Sequence, residues 1–190
     1  MDRTAAIAHS FGTDAAVDLA EAGRVSSLVL IDSAPDYRCA TYPPGLSLIT
    51  RKSLVALAQR IAPAFTIQLA MRRAFAPGFR YSDVPGSADL VVRDFRNLAP
   101  IGPRVALVER RRELAANPLD ARIARIDIPV LAIHGRRDRL YDCAQTIARY
   151  SAAGARTAII EDAGHSPNIE RPAEVVAVVR EFLTLVIDAT

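Results

Sequence analysis

The chain has 190 residues, 51% of them hydrophobic and 24% charged, and a net charge of +3. That balance fits one globular domain with an ample core and gives no reason to expect nucleic acid as a partner. There is no run of about eighteen apolar residues and no charged-then-apolar leader, so a cytoplasmic protein without membrane contact is expected.

The first predicted element is an apolar strand from Thr4 to Ala8. It runs into Ala8-His9-Ser10-Phe11-Gly12 and then a helical stretch from Thr13 to Gly23. A serine between strand and helix, with small residues two positions away on each side, is the pattern of a nucleophile elbow, G-x-S-x-G, with Ala8 in place of the first glycine. The turn is sharp, and bulky flanks would collide with neighbouring backbone. Ser10 is then presented above the sheet, in front of the positive end of the following helix.

From Arg24 to Ser33 the chain reads as a second strand, and Val25-Ser26-Ser27-Leu28-Val29-Leu30-Ile31 is taken as a continuous apolar run of the kind that suits a parallel strand covered on both faces. Between Ala34 and Asp127 helical periodicity takes over. Leu54, Leu57, Ala58, Ile61, Phe65 and Leu69 are expected on one face, and Val105 to Leu114 as a further helix. Prolines 43, 44, 63, 77, 85, 100, 103 and 118 cut this region into short pieces. Arg110, Arg111 and Arg112, bracketed by Glu109 and Glu113, read as a solvated, self-compensating helix face. A third strand follows from Ile128 to Gly135, a helix from about Asp142 to Ala153 with Asp142 as N-cap, and a strand from Thr157 to Ile160. The last element is an amphipathic helix from Pro172 to about Asp188. Strands alternating with helices argue a parallel α/β sheet, residues 1–34 and 119–190, carrying a helical cap insertion at 35–118.

Activating a serine requires a base within hydrogen-bond reach and an acid that orients that base. His165, in Gly164-His165-Ser166-Pro167, lies in a loop past a strand end, where sites of open α/β sheets are built. His9 is the immediate neighbour of Ser10 around a tight turn and reads as a packed or hydrogen-bonded bystander. His134, ending a strand, reads as structural. The acid should come from another strand end, which Asp138 and Asp32 both satisfy. No ligand cluster appears at metal spacing, so no metal or cofactor is expected. Cys39 and Cys143 have no C-x-x-C partner and read as reduced thiols, a single disulfide being the alternative.

Three blocks together resemble the α/β-hydrolase superfamily, in its cap-bearing branch of esterases and C–C bond hydrolases. They are Ala8 to Gly12 with Leu28 to Asp32 after it, Pro129 to Asp138, and Gly164 to Pro167 with Glu170-Arg171-Pro172 leading into the last helix. The resemblance implies Ser10 as nucleophile, His165 as base and the Phe11 backbone N–H as an oxyanion donor. The family's chain order, Ser…Asp…His, favours Asp138 over Asp32 as acid. The implied function is a serine hydrolase of small ester, thioester or related carbonyl substrates. Phe65, Phe75, Phe79 and Phe95 suggest an apolar acyl or aromatic pocket, or ordinary cap core. The family carries a strand–loop segment ahead of the elbow that supplies the second oxyanion N–H, whereas nine residues precede Ser10 here. The expectation is therefore an N-terminally truncated sheet with an exposed apolar first strand that pairs with another copy. The alternative is a catalytically impaired remnant acting as a binding or oligomerising module.

Overall fold

The computed structural model describes residues 4–41, 50–84, 87 and 89–188; Pro43, Pro44 and Pro85 lie outside them. In chain order, β1 (Ala5–His9) leads through a tight 3-10 turn, Ser10–Gly12, into α1 (Thr13–Glu21), followed by β2 (Ser27–Ile31). The middle region supplies α2 (Lys52–Ile61), α3 (Ala64–Met71), α4 (Leu90–Asn97), α5 (Gly102–Arg104) and α6 (Arg110–Ala116), the last two joined by a π-helical stretch, Val105–Glu109. Then come α7 (Leu119–Ile123), β3 (Val130–Gly135), α8 (Cys143–Ala152), β4 (Arg156–Ile160), α9 (Pro167–Glu170) and α10 (Pro172–Asp188). Asp142 caps α8 by accepting from the Gln145 N–H at 2.8 Å.

The four strands form one parallel sheet in the order β1-β2-β3-β4. Alternation along β2 explains its continuous apolar run. Leu28 and Leu30 enter one core with Val17 and Ala20 of α1, Leu119 and Ile123 of α7, and Tyr150 of α8. Val29 and Ile31 enter the opposite core with Val175, Val179 and Phe182 of α10. Both faces are covered, so every residue of β2 is buried. β1 is an edge strand, and its Ile7 is 54% exposed.

The middle region departs from its periodicity. The chain breaks at Ala62–Pro63, and the face picked out by spacing lies outward: Leu54, Leu57, Ile61, Phe65 and Leu69 are exposed. Val55 and Ile67 bury instead, Ile67 against Val91 and Val92 of α4. The arginine cluster is corrected too. Arg111 and Arg112 face solvent, but Arg110 is buried, pairs bidentately with Asp14 of α1 and sits 5.6 Å from the ring centroids of Phe11 and Tyr37. Nearby Leu114 joins the core under α1. The end of the helical region is thereby fastened to the turn that carries Ser10. No helix among the described residues is long and apolar enough to cross a membrane.

Candidate active site

The turn after β1 puts Ser10 in the left-handed region, φ +52°, which an L-residue adopts only under constraint. Part of the constraint is visible. Thr13, fully buried, donates its hydroxyl to the Ser10 carbonyl at 2.6 Å and lies 2.7 Å from Ser33 Oγ, itself 3.4 Å from the buried Tyr150 hydroxyl. Sequence pattern gave no sign of this chain, because its members are spread over α1, the end of β2 and α8. Steric need for small flanks is weaker than expected. A Cβ on Gly12 would meet Ala8 Cβ at 4.0 Å, an ordinary contact.

The strand ends bring Ser10, His165 and Asp138 together. Ser10 Oγ is 2.7 Å from His165 Nε2, and His165 Nδ1 is 3.0 Å from Asp138 Oδ2. With Nδ1 donating to the carboxylate, Nε2 is left as acceptor for the serine hydroxyl. His165 is buried and Asp138 presents no accessible side-chain surface. Burial would push the Asp138 carboxyl up, but the imidazoles of His134 and His165 beside it hold it well below the usual carboxylate range.

The His165 loop is pinned from several sides. His9 donates from Nε2 to the His165 carbonyl at 2.7 Å, as a hydrogen-bonded neighbour should, and its burial lowers its own pKa. Glu170, buried in α9, accepts from the backbone N–H groups of Gly164 at 2.8 Å, Ser166 at 3.3 Å and Ala76 at 2.7 Å. One carboxylate thus clamps both sides of His165 and ties the loop to the helical region. Gly164 has no room for a side chain, since a Cβ there would lie 2.3 Å from the Ala76 nitrogen. Gly135, ending β3, is equally closed, at 2.0 Å from the Gly164 oxygen.

Asp32, the rival acid, does not touch His165. It is fully buried, takes the Gly135 N–H on Oδ1 at 3.1 Å, and lies 3.6 Å from His134 Nε2. His134 Nε2 is also 3.2 Å from Asp138 Oδ2, the oxygen that His165 uses. Asp32, His134 and Asp138 therefore form a buried group whose polar atoms lie within 4.8 Å of one another, in which the fold brings Asp32 to a pair, His134 and Asp138, far from it in sequence. Cys39 and Cys143 are buried and free, and burial pushes the Cys143 thiol up to about 11.

Burial pushes the Asp32 carboxyl well above the usual carboxylate range, with Asp138 adding to the shift and His165 and the Gly135 N–H opposing it. Its unfolded value is about 3.9, so the fold favours the protonated form. That contribution is complete below about pH 4 and is lost as pH rises through the folded value. Asp32→Asn buries no charge. Its advantage over the parent is expected to be near nil at pH 4 and to grow toward pH 8, by about 2–4 °C in Tm for each kcal/mol. Circular-dichroism melts at the two pH values check this. A variant less stable than the parent at pH 8 would show that Asp32 is ionised and well paired there.

Comparison with known proteins concerns the family and the fold. A family model described as "Alpha/beta hydrolase family" matches residues 2–178. Among solved structures, a thermophilic esterase from Thermogutta terrifontis superposes with a TM-score of 0.70 at 19% identity, over 97% of this chain and 65% of the esterase. The 2-hydroxy-6-oxo-6-phenylhexa-2,4-dienoate hydrolase of Rhodococcus sp. strain RHA1 gives 0.71 at 18%, over 96% and 64%. The enol-lactonase of Burkholderia xenovorans LB400 gives 0.67 at 22%, over 96% and 65%. At these identities the likeness concerns the fold, and the chain spans just under two thirds of each of these proteins. No curated protein matches.

Proposed function

Because the chain belongs to the alpha/beta hydrolase family, we propose that it is a serine hydrolase of small ester, thioester or related carbonyl substrates, with Ser10 as nucleophile, His165 as general base and Asp138 as the orienting acid. The observation that carries this reading is the continuous hydrogen-bonded line from Ser10 Oγ through His165 to Asp138, at 2.7 and 3.0 Å. Ser10 attacks the carbonyl carbon while its proton passes to His165 Nε2. Asp138 steadies the imidazolium, and His165 then returns the proton to the leaving group. The Phe11 backbone N–H, next to the nucleophile in the turn that leads into α1, is the oxyanion donor in this scheme. A fluorophosphonate probe, which reacts with activated serines, is expected to form one adduct, mapped by mass spectrometry to Ser10. Labelling elsewhere, persisting in Ser10→Ala, would refute the assignment.

A second reading rests on a different observation. β1 is an uncovered sheet edge with Ile7 exposed, and Leu19 of α1 and Val176 of α10 are about half exposed. An apolar parallel edge without charge is a template for another chain. In this reading the protein acts as an oligomerising or binding module with weak turnover. The 190-residue chain is expected to elute above its 20.5 kDa monomer mass in size-exclusion chromatography with light scattering. Ile7→Lys should shift it toward the monomer, with p-nitrophenyl acetate hydrolysis weak or undetectable throughout. A monomeric parent chain with ordinary esterase turnover would overturn this reading.

A further inference from the structure

The helical region turns outward an apolar face that no other described residue covers. In α2, Leu54, Leu57 and Ile61 recur three and four residues apart, so they share one side of the helix. In α3, Phe65 and Leu69 stand four apart, with the buried Ile67 between them pointing inward. The five are between 49% and 69% exposed. The opposite sides of both helices are already engaged with α4. Ile67 packs on Val91 and Val92, and Gln59 donates to the carbonyls of Phe95 and Leu98 at 2.8 and 2.6 Å. Of the four phenylalanines expected at a pocket or in the cap core, Phe75 and Phe79 line a cleft of about 760 Å³ and Phe95 packs with the Ile67 cluster, whereas Phe65 faces solvent.

The charge around this face has one sign. Residues 37–82 carry seven Arg or Lys and no Asp or Glu, in a chain whose net charge is only +3. Five of those cations flank the face: Arg51 and Lys52 at the start of α2, Arg60 near its end, and Arg72 and Arg73 just past α3. All five are exposed, and none has an ion pair among the described residues. The neighbouring α4 region is balanced, Asp89 and Asp94 against Arg93 and Arg96. Single exposed apolar side chains are ordinary. A row of five bordered by unpaired cations is the pattern of helices that lie along a membrane surface, with apolar side chains below the headgroups and cations at the lipid phosphates. A second copy is a poorer fit, because a two-fold contact through this face sets its five cations against the same five. The expectation of no membrane contact rested on the lack of a spanning segment, and a helix lying along the surface needs none.

We propose that α2 and α3 dock the protein on an anionic lipid bilayer, the five apolar side chains entering the headgroup boundary and the five cations meeting the lipid phosphates. The inference stands independently of the serine hydrolase reading. Its test is flotation with lipid vesicles in a density gradient, where unbound or self-associated protein stays at the bottom. Vesicles with about 30% phosphatidylglycerol are expected to bind at least about tenfold more tightly than pure phosphatidylcholine, and raising salt from about 0.1 to about 0.5 M to remove most of that difference. Ile61→Ser and Phe65→Ser together should weaken anionic binding by at least about tenfold. Leu185→Ser, which removes an exposed leucine of α10, should leave it unchanged. The chain has no tryptophan, so Phe65→Trp supplies a single reporter whose emission should move to shorter wavelength on anionic vesicles. Absence of binding, equal binding to both compositions, or full binding by the folded double variant would overturn the proposal. So would an unshifted Phe65→Trp emission from protein that floats. A double variant that dissociates an oligomer, in a chain that never floats, would assign the face to a second copy and overturn it as well.

Discussion

Replacing Ser10 by alanine is expected to erase both covalent trapping and ester turnover, the largest effect of any single substitution in the chain. In a complete Ser–His–Asp hydrolase, losing the nucleophile costs about 2 × 10⁶ in kcat. A loss of that order is expected between the parent chain and Ser10→Ala. Fluorophosphonate trapping is the more sensitive readout, because it requires one bond to form and no product release. The substitution removes only a hydroxyl from a residue whose backbone is held through its carbonyl by Thr13. Melting temperature should change little, so the loss would be chemical and not structural. Alanine protein that still traps the probe at its parent rate would move the nucleophile to another residue.

How much of this was legible in the sequence depended on whether the signal was local. β2 was readable because a strand buried on both faces must be apolar at every position, and Leu28 to Ile31 satisfies that without reference to anything distant. α8 began where its N-cap aspartate said it should. The elbow was readable because strand, serine and helix are contiguous. The helical middle was not. Its apolar spacing at Leu54, Leu57, Ile61, Phe65 and Leu69 is genuine, but periodicity cannot say whether a partner covers the face it marks, and those residues are exposed. Arg110 shows the same limit from the other side. Its charge looked balanced by the neighbouring glutamates, while its partner, Asp14, lies nearly a hundred residues away on α1.

The site followed the same division. Ser10, Asp138 and His165 each sit at the C-terminal end of a strand, where chain order and element type already narrow the choice. The residues that hold them do not announce themselves. Glu170 contacts three backbone N–H groups across two segments, and Thr13 reaches back to the Ser10 carbonyl. Glutamate at the end of a short helix and threonine at a helix start are common residues in common places. Only the fold makes them supports of His165 and Ser10. The buried Asp32–His134–Asp138 group is the sharpest case, since two strand ends meet there that the sequence separates by about a hundred residues.

That meeting of two strand ends is what makes the choice of acid testable. Asp138→Asn is expected to lower the rate of probe trapping, and any ester turnover, by about four orders of magnitude, as the equivalent change does in a serine protease triad. The carboxylate accepts from His165 Nδ1 at 3.0 Å, which fixes the tautomer whose Nε2 accepts the Ser10 proton. An asparagine that turns its amide N–H toward Nδ1 makes that nitrogen the acceptor and places the proton on Nε2. The imidazole then faces Ser10 with a donor and cannot deprotonate it. No carboxylate remains beside it to stabilise the imidazolium either. Asp32→Asn should do none of this. Asp32 contacts the Gly135 N–H and lies near His134, and its removal leaves the Asp138–His165 bond in place. The two variants are compared by their second-order trapping constants at pH 7, with folding checked by circular dichroism. If Asp32→Asn slows trapping more than Asp138→Asn does, the fully buried strand-end aspartate is the working acid and His165 must turn from its present partner to reach it.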